Sequence, residues 1–408
     1  MTRRHDIDAL RILAFGLLIL YHVGMLYVAP VADWGFHLKS VHLAEWLEFP
    51  MLFVNRWRME LIFLISGLAV HFMHLQRLRD GALKLAWVRS VRLLLPLLFG
   101  MLVVIPVQPY VEGLSHQKVA PGFGVFVLHY WSLSPWPEGA FAGSRYGLTW
   151  NHLWYLPYLW VYTIVLLGLL PALESRTGKR LRAACLRLRG AGLLWLPGLP
   201  LFAAAMLLRG NFPMTHALVG DWYAHALYAS VFFYGYLIGV DAGMWAELAR
   251  LRRTALLLAL VSFTVYLFLD KFAGDLLRDR PIDPDILTVA GWLITWLRYW
   301  YGWLAIVAIL GWGHVLLNRP FRWLPYARQA LYPWYILHQS LLLWLAWVLM
   351  PLQLGPVIEP ALILLGTLTG CAALHELLIR RVGWFAPLFG LKRSEARPSA
   401  GPYWMRAG

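Results

Sequence analysis

The chain has 408 residues, of which 60% are hydrophobic and only 14% are charged, and it contains 23 tryptophans. This composition excludes an ordinary soluble globular protein and indicates an integral membrane protein. The net charge of +15 comes from short basic clusters between apolar runs, which is typical of cytoplasmic loops and argues against a nucleic-acid-binding surface. The two cysteines are too far apart in the chain to predict a disulfide or a CxxC metal site.

Ten apolar runs are long enough to predict transmembrane helices, since an open strand cannot satisfy its backbone in lipid. With the N-terminus inside, 26 of the 36 Lys and Arg residues fall on the cytoplasmic side, which predicts that both termini are cytoplasmic. We therefore expect an all-α polytopic protein with one transmembrane domain over 1–392 and a short cytoplasmic tail over 393–408. The runs are 7–30, 58–75, 93–107, 152–173, 191–208, 222–241, 254–270, 287–313, 329–350 and 357–379.

Two predicted outward loops, 31–57 and 108–151, are rich in aromatic residues and histidine. One interpretation is an aromatic belt at the membrane interface. The other is a platform on which sugar rings stack their C–H faces against indole. The residues in question are Trp34, His37, His42, Trp46, Trp57, Tyr110, His116, His129, Tyr130, Trp131, Trp136 and Trp150.

The first predicted helix carries Asp8, Arg11 and His22 in an otherwise apolar stretch. Asp8 and Arg11 are one turn apart and can pair. Arg11 and His22 are separated by about 16 Å along the axis and roughly three turns, so they share nearly one face. Burying such groups in lipid is costly, which favours a functional role. The alternative for His22 is a buried histidine that bonds to a neighbouring helix.

Other polar residues lie inside or at the ends of the later runs. Glu60 opens the second run beside Arg58, His152 opens the fourth, and His338 with Gln339 lies in the middle of the ninth. Several such groups at similar depth predict a water-filled central cavity. Arg298 in the eighth run either pairs with an acidic residue of another helix or binds a charged group of a substrate.

Arg89 and Arg92 lie three residues apart at the cytoplasmic end of the third run, so both guanidinium groups project to the same side. Two such groups suit a pyrophosphate, to which they can make bidentate contacts. The alternative is that these arginines only anchor the helix end at the cytoplasmic surface. The histidines show no HxxxH-like spacing, so no metal site is predicted.

Taken together, these motifs resemble the acyltransferase-3 family of integral membrane acyltransferases. The resemblance covers about residues 6–345 and depends on the order and placement of four segments. Many bacterial relatives carry glutamates in helix four, whereas residues 149–162 here read TWNHLWYLPYLWVY, which is more similar to the glucan-modifying branch. The segments are DALR (8–11) followed by His22, ELIFLISG (60–67), RSVR (89–92) and YPWYILHQ (332–339).

The resemblance implies ten core helices in a bacterial inner membrane and a cytoplasmic acyl-CoA donor, either acetyl-CoA or succinyl-CoA. It also implies a glycan hydroxyl as acceptor on the far side, and no bound cofactor. His22 is the expected general base, or the carrier of a transient acyl-imidazole, with Asp8 and Arg11 beside it. Arg89 and Arg92 are the expected donor-binding pair. Supporting or acceptor-positioning roles fall to Glu60, Ser66, His152, Trp154, His338, Gln339 and Arg298.

Two other functions remain open from the sequence. A secondary transporter or flippase for a glycan or lipid-linked sugar would also need a polar cavity and outward aromatic residues, although the internal repeats common in transporters are not visible. The other alternative is a membrane subunit with only a scaffolding role, and the intramembrane histidines argue against it.

Overall fold

The computed structural model describes residues 4–29, 34–273 and 283–392, and these residues form helices and no strand. Eight helical segments in this part of the chain are long and apolar enough to cross a membrane. The expected fold class, an all-α polytopic membrane protein, is therefore confirmed. The count of ten spans and the cytoplasmic placement of both termini stay predictions. The eight segments are His5–Tyr27, Ala82–Val104, Asn151–Glu174, Gly190–Leu208, Ala242–Lys271, Pro284–Leu317, Leu324–Leu352 and Gly355–Ile379.

Fifteen α-helices are defined in the described residues, and short 3₁₀ or π turns extend several of them. In chain order they are α1 His5–Tyr27, α2 Glu48–Asn55, α3 Arg58–Asp80, α4 Ala82–Phe99, α5 Val107–Ser115, α6 Phe123–Trp131, α7 Tyr155–Glu174, α8 Arg176–Cys185, α9 Gly190–Trp195, α10 Gly198–Leu208, α11 Trp222–Val240, α12 Ala242–Leu267, α13 Pro284–Leu317, α14 Leu324–Leu349 and α15 Gly355–Leu374. The predicted tail over 393–408 lies outside the described residues.

The structure differs from the sequence prediction mainly in the two outward loops and the fifth run. The loops contain α2, α5 and α6. The fifth run is divided into α9 and α10 before Pro197, which has no N–H to offer to the carbonyl of Leu193. The indole of Trp303 donates to that carbonyl instead, at 2.8 Å. The third run begins earlier than 93, since α4 includes Arg89 and Arg92.

The chain divides into two compact units, each made from three stretches of sequence. The first unit comprises residues 1–14, 52–86 and 161–321. Within it, α3 and α11 cross so closely that glycine is required on both helices. A Cβ on Gly67 would lie 1.8 Å from the carbonyl oxygen of Phe232, and one on Gly235 would lie 1.9 Å from that of Leu64. Close approach through small residues is a common way to pack helices in a membrane.

The second unit comprises residues 15–51, 87–160 and 322–408. Two clusters of buried apolar side chains organise it. One joins α1, α14 and α15 through residues such as Leu26, Leu342 and Ile363. The other gives the segment 108–151 a core of its own around Tyr110, Val119, Phe126, Tyr130, Ala140 and Phe141.

Several aromatic residues of the two outward loops are packed inside the protein. Trp136 stacks on Phe126 with ring centroids 4.7 Å apart, and Trp34 and Trp57 are 2% and 8% exposed. These rings are packing residues and belong neither to an interfacial belt nor to a sugar platform. Trp46 and Trp131, in contrast, are 66% and 51% exposed, so both interpretations stay open for them.

We expect Gly67→Ala to destabilise the first unit, because the added methyl group would overlap a backbone carbonyl that cannot move without shifting α11. Overpacking of this kind costs about 1 to 3 kcal/mol. Thermal unfolding of the detergent-solubilised protein, followed by size-exclusion chromatography, measures the effect. Gly168→Ala is the matched control, since nothing lies within 4 Å of its Cβ position. Equal stability of the two variants would contradict the proposed crossing.

Candidate active site

The polar residues of the second unit converge on the middle of α14. His338 and Gln339 are 0% and 3% exposed, and the unit surrounds them with α1, α5 and the 3₁₀ turn Asn151–Trp154 that precedes α7. Buried polar groups of this kind are nearly always hydrogen-bonded. Their partners therefore indicate how each side chain is protonated and oriented.

His22 and His338 are hydrogen-bonded to each other, with 2.9 Å between Nδ1 of His22 and Nε2 of His338. Nδ1 of His338 lies 2.8 Å from the carbonyl oxygen of Tyr335 and 3.1 Å from that of Trp334. Carbonyl oxygens only accept, so Nδ1 of His338 carries a hydrogen, and in the neutral ring Nε2 carries the lone pair. His22 must then donate from Nδ1, which puts the lone pair of its own neutral ring on Nε2.

The carbonyl of Tyr335 orients a second imidazole as well. Nε2–H of His152 donates to it at 3.0 Å, while the Tyr335 hydroxyl donates to the carbonyl oxygen of His152 at 2.6 Å. Nδ1 of His152 consequently is an acceptor, and the side-chain amide of Gln108 donates a hydrogen bond to it at 3.0 Å. The rings of His152 and His338 are 5.0 Å apart and nearly perpendicular.

Gln108 on α5 connects this group to the end of the fourth helix. Its other amide hydrogen donates to Ser340 Oγ at 2.9 Å, and that hydroxyl donates to the carbonyl of Val104 at 2.7 Å. Val104 ends a π turn over Gly100–Val104. The turn and Pro106 leave carbonyls without regular helical partners, and another of them, Leu102, accepts from the indole of Trp131 at 2.8 Å.

Gln339 extends the network to the segment after α1. Its amide nitrogen lies 3.2 Å from Gln108 Oε1 and 3.1 Å from Nε2 of His37, so each of its two hydrogens has a partner. His37 in turn donates from Nδ1 to Glu112 on α5. Gln339 Oε1 is buried and has no hydrogen-bond partner among the described residues.

The two arginines predicted to bind the donor also belong to the second unit. Arg92 is exposed and Arg89 is half-buried; between them Ser90 accepts from the Trp160 indole at 2.8 Å. The Tyr332 hydroxyl is 3.5 Å from the backbone carbonyl of Arg92. Tyr332, the residue that contacts Arg92, precedes His338 by six residues and so lies about 9 Å from it along α14.

The remaining predicted site residues are placed elsewhere or have simpler roles. Trp154 packs edge-on against Tyr158, 5.4 Å away, and Ser66 donates to the carbonyl of Ile62 in its own helix at 2.9 Å. Glu60 lies within electrostatic range of Arg56, Arg58 and Arg298, which supports an acidic partner for Arg298. Asp8 and Arg11 share α1 with His22 but belong to the first unit, as do Glu60, Ser66 and Arg298.

Sequence reasoning missed several members of these networks. In the first turn of α1, Asp6 contacts Arg4 at 2.6 Å and His314 at 2.9 Å. In the second unit Gln108, Ser340 and Glu112 were not predicted. Ser340 follows His338 and Gln339 directly, so a polar run inside an apolar segment was its signal. Gln108 and Glu112 lie where a loop was expected, and no periodicity marked them.

Comparison with known proteins agrees with the resemblance inferred from the motifs. A family model described as an acyltransferase domain, of the acyltransferase-3 type, matches residues 4–376. Proteins named "Glucans biosynthesis protein C" from Salmonella paratyphi B and Salmonella choleraesuis are each 24% identical over 354 residues, which is 84% of this chain and 83% of theirs. No solved structure matches at a significant level.

We expect Ser340→Ala to lower stability by about 1 to 3 kcal/mol, because it leaves a buried carbonyl and a buried amide hydrogen without partners. Thermal unfolding in detergent measures the change. Ser132→Ala is the control, since that hydroxyl also bonds to a backbone carbonyl, that of His129, but at an exposed position, and its loss is expected to cost less than 0.5 kcal/mol. Comparable losses in the two variants would contradict the network around Gln108.

Proposed function

The chain belongs to the acyltransferase-3 family of membrane acyltransferases, and we propose from this premise that it transfers an acyl group from cytoplasmic acyl-CoA to a glycan hydroxyl across the bacterial inner membrane. The observation that carries the proposal is the His22–His338 pair, which leaves a lone pair on Nε2 of a histidine inside a membrane helix. An imidazole in that state is a base and a nucleophile at neutral pH.

The direction of transfer follows from the predicted topology. With the N-terminus in the cytoplasm, α1 runs outward, and His22 lies about 25 Å along it from His5. His22 is then closer to the outer surface than to the inner one. A donor entering from the cytoplasm must be elongated to deliver its acyl group there, and the pantetheine arm of CoA is of that shape.

Arg89 and Arg92 are the proposed anchor for the phosphates of the donor. Both lie in the middle of α4, Ala82–Phe99, at the predicted cytoplasmic end of the third apolar run, and Tyr332 connects this region to α14, the helix that carries His338. Two guanidinium groups three residues apart can each make bidentate contacts to phosphate oxygens. Anchored in this way, the donor extends its thioester into the interior of the second unit.

His22 is the proposed reactive residue and His338 its positioning partner. Whether Nε2 of His22 accepts the hydroxyl proton or attacks the thioester carbon, a positive charge develops on its ring in the transition state. His338 Nε2 accepts the Nδ1 hydrogen and disperses that charge. His338 therefore keeps His22 in its reactive tautomer and stabilises the charged form of the His22 ring.

We propose a glucan as the acceptor, with acetyl or succinyl as the transferred group. The proposal draws on the printed name of the relatives, "Glucans biosynthesis protein C", whose similarity extends over 354 residues. It also draws on residues 149–162, at the start of α7, where the chain reads TWNHLWYLPYLWVY. His152 from this segment belongs to the His338 network, so the segment contributes directly to the proposed site.

We expect His22→Ala to bind acyl-CoA normally and to lose about 10²- to 10⁴-fold in turnover, the usual contribution of a positioned base. The measurement is acyl-CoA binding and CoA release by the purified protein in nanodiscs, with acetyl-CoA and succinyl-CoA side by side. His225→Ala, at a half-buried position in the first unit and outside the candidate site, is the control. An active His22→Ala protein would overturn this assignment. No binding of either CoA ester by the folded wild type would favour the transporter.

For Arg89→Gln combined with Arg92→Gln, we expect the dissociation constant for acyl-CoA to rise about 10- to 100-fold, as expected from the loss of one or more charge-assisted hydrogen bonds. Equilibrium binding in nanodiscs measures it, together with thermal stability. Arg176→Gln with Arg180→Gln removes the same charge from the exposed helix α8 and serves as control. Normal binding by the first double variant would mean that Arg89 and Arg92 are topology anchors only.

A further inference from the structure

Another histidine of the second unit, His37, has the hydrogen-bond partners of a general base. His37 donates from Nδ1 to the carboxylate of Glu112, so its Nε2 carries the lone pair of the neutral ring. Both side chains are 12% exposed, which removes most of the competing water. A carboxylate bonded to Nδ1 of an imidazole fixes the tautomer and stabilises the imidazolium that forms when Nε2 accepts a proton.

The pair is held rigidly by the backbone around it. Glu112 Oε1 accepts from the backbone N–H of Ala142 at 3.2 Å, and the Ser115 hydroxyl donates to the carbonyl oxygen of His37 at 3.1 Å. Lys39 donates to the carbonyls of Met25 and Val28 at the end of α1, at 2.7 and 3.0 Å. The segment that carries His37 is therefore fixed to α1 and to α5, as a preorganised catalytic group requires.

His37 is also close to the proposed reaction centre. The ring of Phe36 is adjacent to both histidines, with its centroid 6.1 Å from that of His22 and 5.1 Å from that of His37. Nε2 of His37 bonds to the amide of Gln339, the neighbour of His338. In the predicted topology, His37 and Glu112 both lie on the outward side, where the acceptor arrives.

We propose that the His37–Glu112 pair is the base that takes the proton from the acceptor hydroxyl, while His22 carries the acyl group. This deepens the proposed function and depends on it. In the resting structure Gln339 occupies the lone pair of His37. An acceptor hydroxyl that enters between them donates to His37 Nε2 and accepts the released Gln339 N–H. Gln339 Oε1, buried and without a partner, can accept from a second sugar hydroxyl.

The proposed transfer has two half-reactions, the first to His22 and the second to the acceptor hydroxyl. Nε2 of His22 attacks the thioester carbonyl carbon, the C–S bond breaks, and CoA leaves as thiolate while the Nδ1 hydrogen of His22 passes to His338 Nε2. The acceptor oxygen then attacks the acyl carbon as its proton passes to His37 Nε2. The C–N bond breaks, its electron pair returns to His22, and His338 returns the hydrogen. His37 releases its proton to water, and the CoA thiolate takes one up.

This division of labour predicts that variants of His37 separate the two half-reactions. In His37→Gln we expect the single-turnover release of CoA to be unchanged and transfer to a glucan oligosaccharide to fall about 10²- to 10⁴-fold. Hydroxylamine, a nucleophile that needs no base, should still accept the acyl group from this variant at a rate near that of the wild type. His225→Gln, at a half-buried position in the first unit and outside the candidate site, is the matched control.

Glu112→Gln tests the carboxylate while keeping an oxygen that can accept from His37. A pair that only anchors the loop would lose little transfer in this variant, whereas a base pair loses about 10²-fold or more, again with CoA release retained. Glu138→Gln, at an exposed position, is the control. All variants are assayed as full-length protein in nanodiscs, and equal thermal stability shows that a loss is not due to unfolding.

The outcomes distinguish this proposal from the one on which it depends. Normal glucan transfer by His37→Gln, with His22→Ala inactive, overturns the role of His37 alone. Parallel loss of CoA release, hydroxylamine transfer and glucan transfer in both His37→Gln and Glu112→Gln also overturns it, since the pair would then be structural. CoA release unaffected by His22→Ala overturns the role of His22 as acyl carrier, whereas no binding and no release of CoA by the folded wild type overturns the proposed function itself.

Discussion

The carbonyl oxygen of Tyr335 determines which ring nitrogens of three histidines, His338, His152 and His22, carry hydrogen. It accepts from Nδ1 of His338 and from Nε2 of His152, and because a carbonyl cannot donate, each of these rings has only one nitrogen left to accept. Because Nε2 of His338 then carries a lone pair, Nδ1 of His22 must carry the hydrogen of the bond between them. In a low-dielectric interior such bonds are strong and an unsatisfied partner is costly. One backbone atom thus gives His22 the tautomer in which Nε2 is reactive.

The supply of such backbone acceptors comes from irregular helix geometry. Regular helices use their carbonyls internally, so side chains in a membrane find few acceptors. Here prolines and π turns release some of them: Val104 and Leu102 next to Pro106, and Leu193 before Pro197. The buried side chains of Ser340 and Trp303 and the exposed indole of Trp131 donate to these carbonyls. The interruptions of the helices therefore allow polar groups to be buried without loss of hydrogen bonds.

The sequence was sufficient for the fold class and for part of the site. Apolar runs revealed the helices because hydropathy acts on single residues, and His22, His152, His338 and Gln339 were found because polar groups inside such runs are conspicuous. Their hydrogen-bond pattern could not be predicted, since it depends on which carbonyls are released. Glu112 and Gln108 lie in a segment that is too polar and too short to suggest membrane helices, so their place beside Gln339 depends on tertiary packing.

In the proposed reaction, the neighbouring positions of His338 and Gln339 assign one helix to both substrates. Consecutive residues of a helix point about 100° apart, so His338 is directed to α1 and His22, and Gln339 to α5 and His37. Neither side chain can move far without disturbing the other, because both are buried in one packed helix. In the proposed reaction, the acyl group on His22, which His338 positions, and an acceptor hydroxyl between Gln339 and His37 are then brought together by the rigidity of α14. On this argument the central requirement of the proposed reaction is met by adjacent residues of a single element.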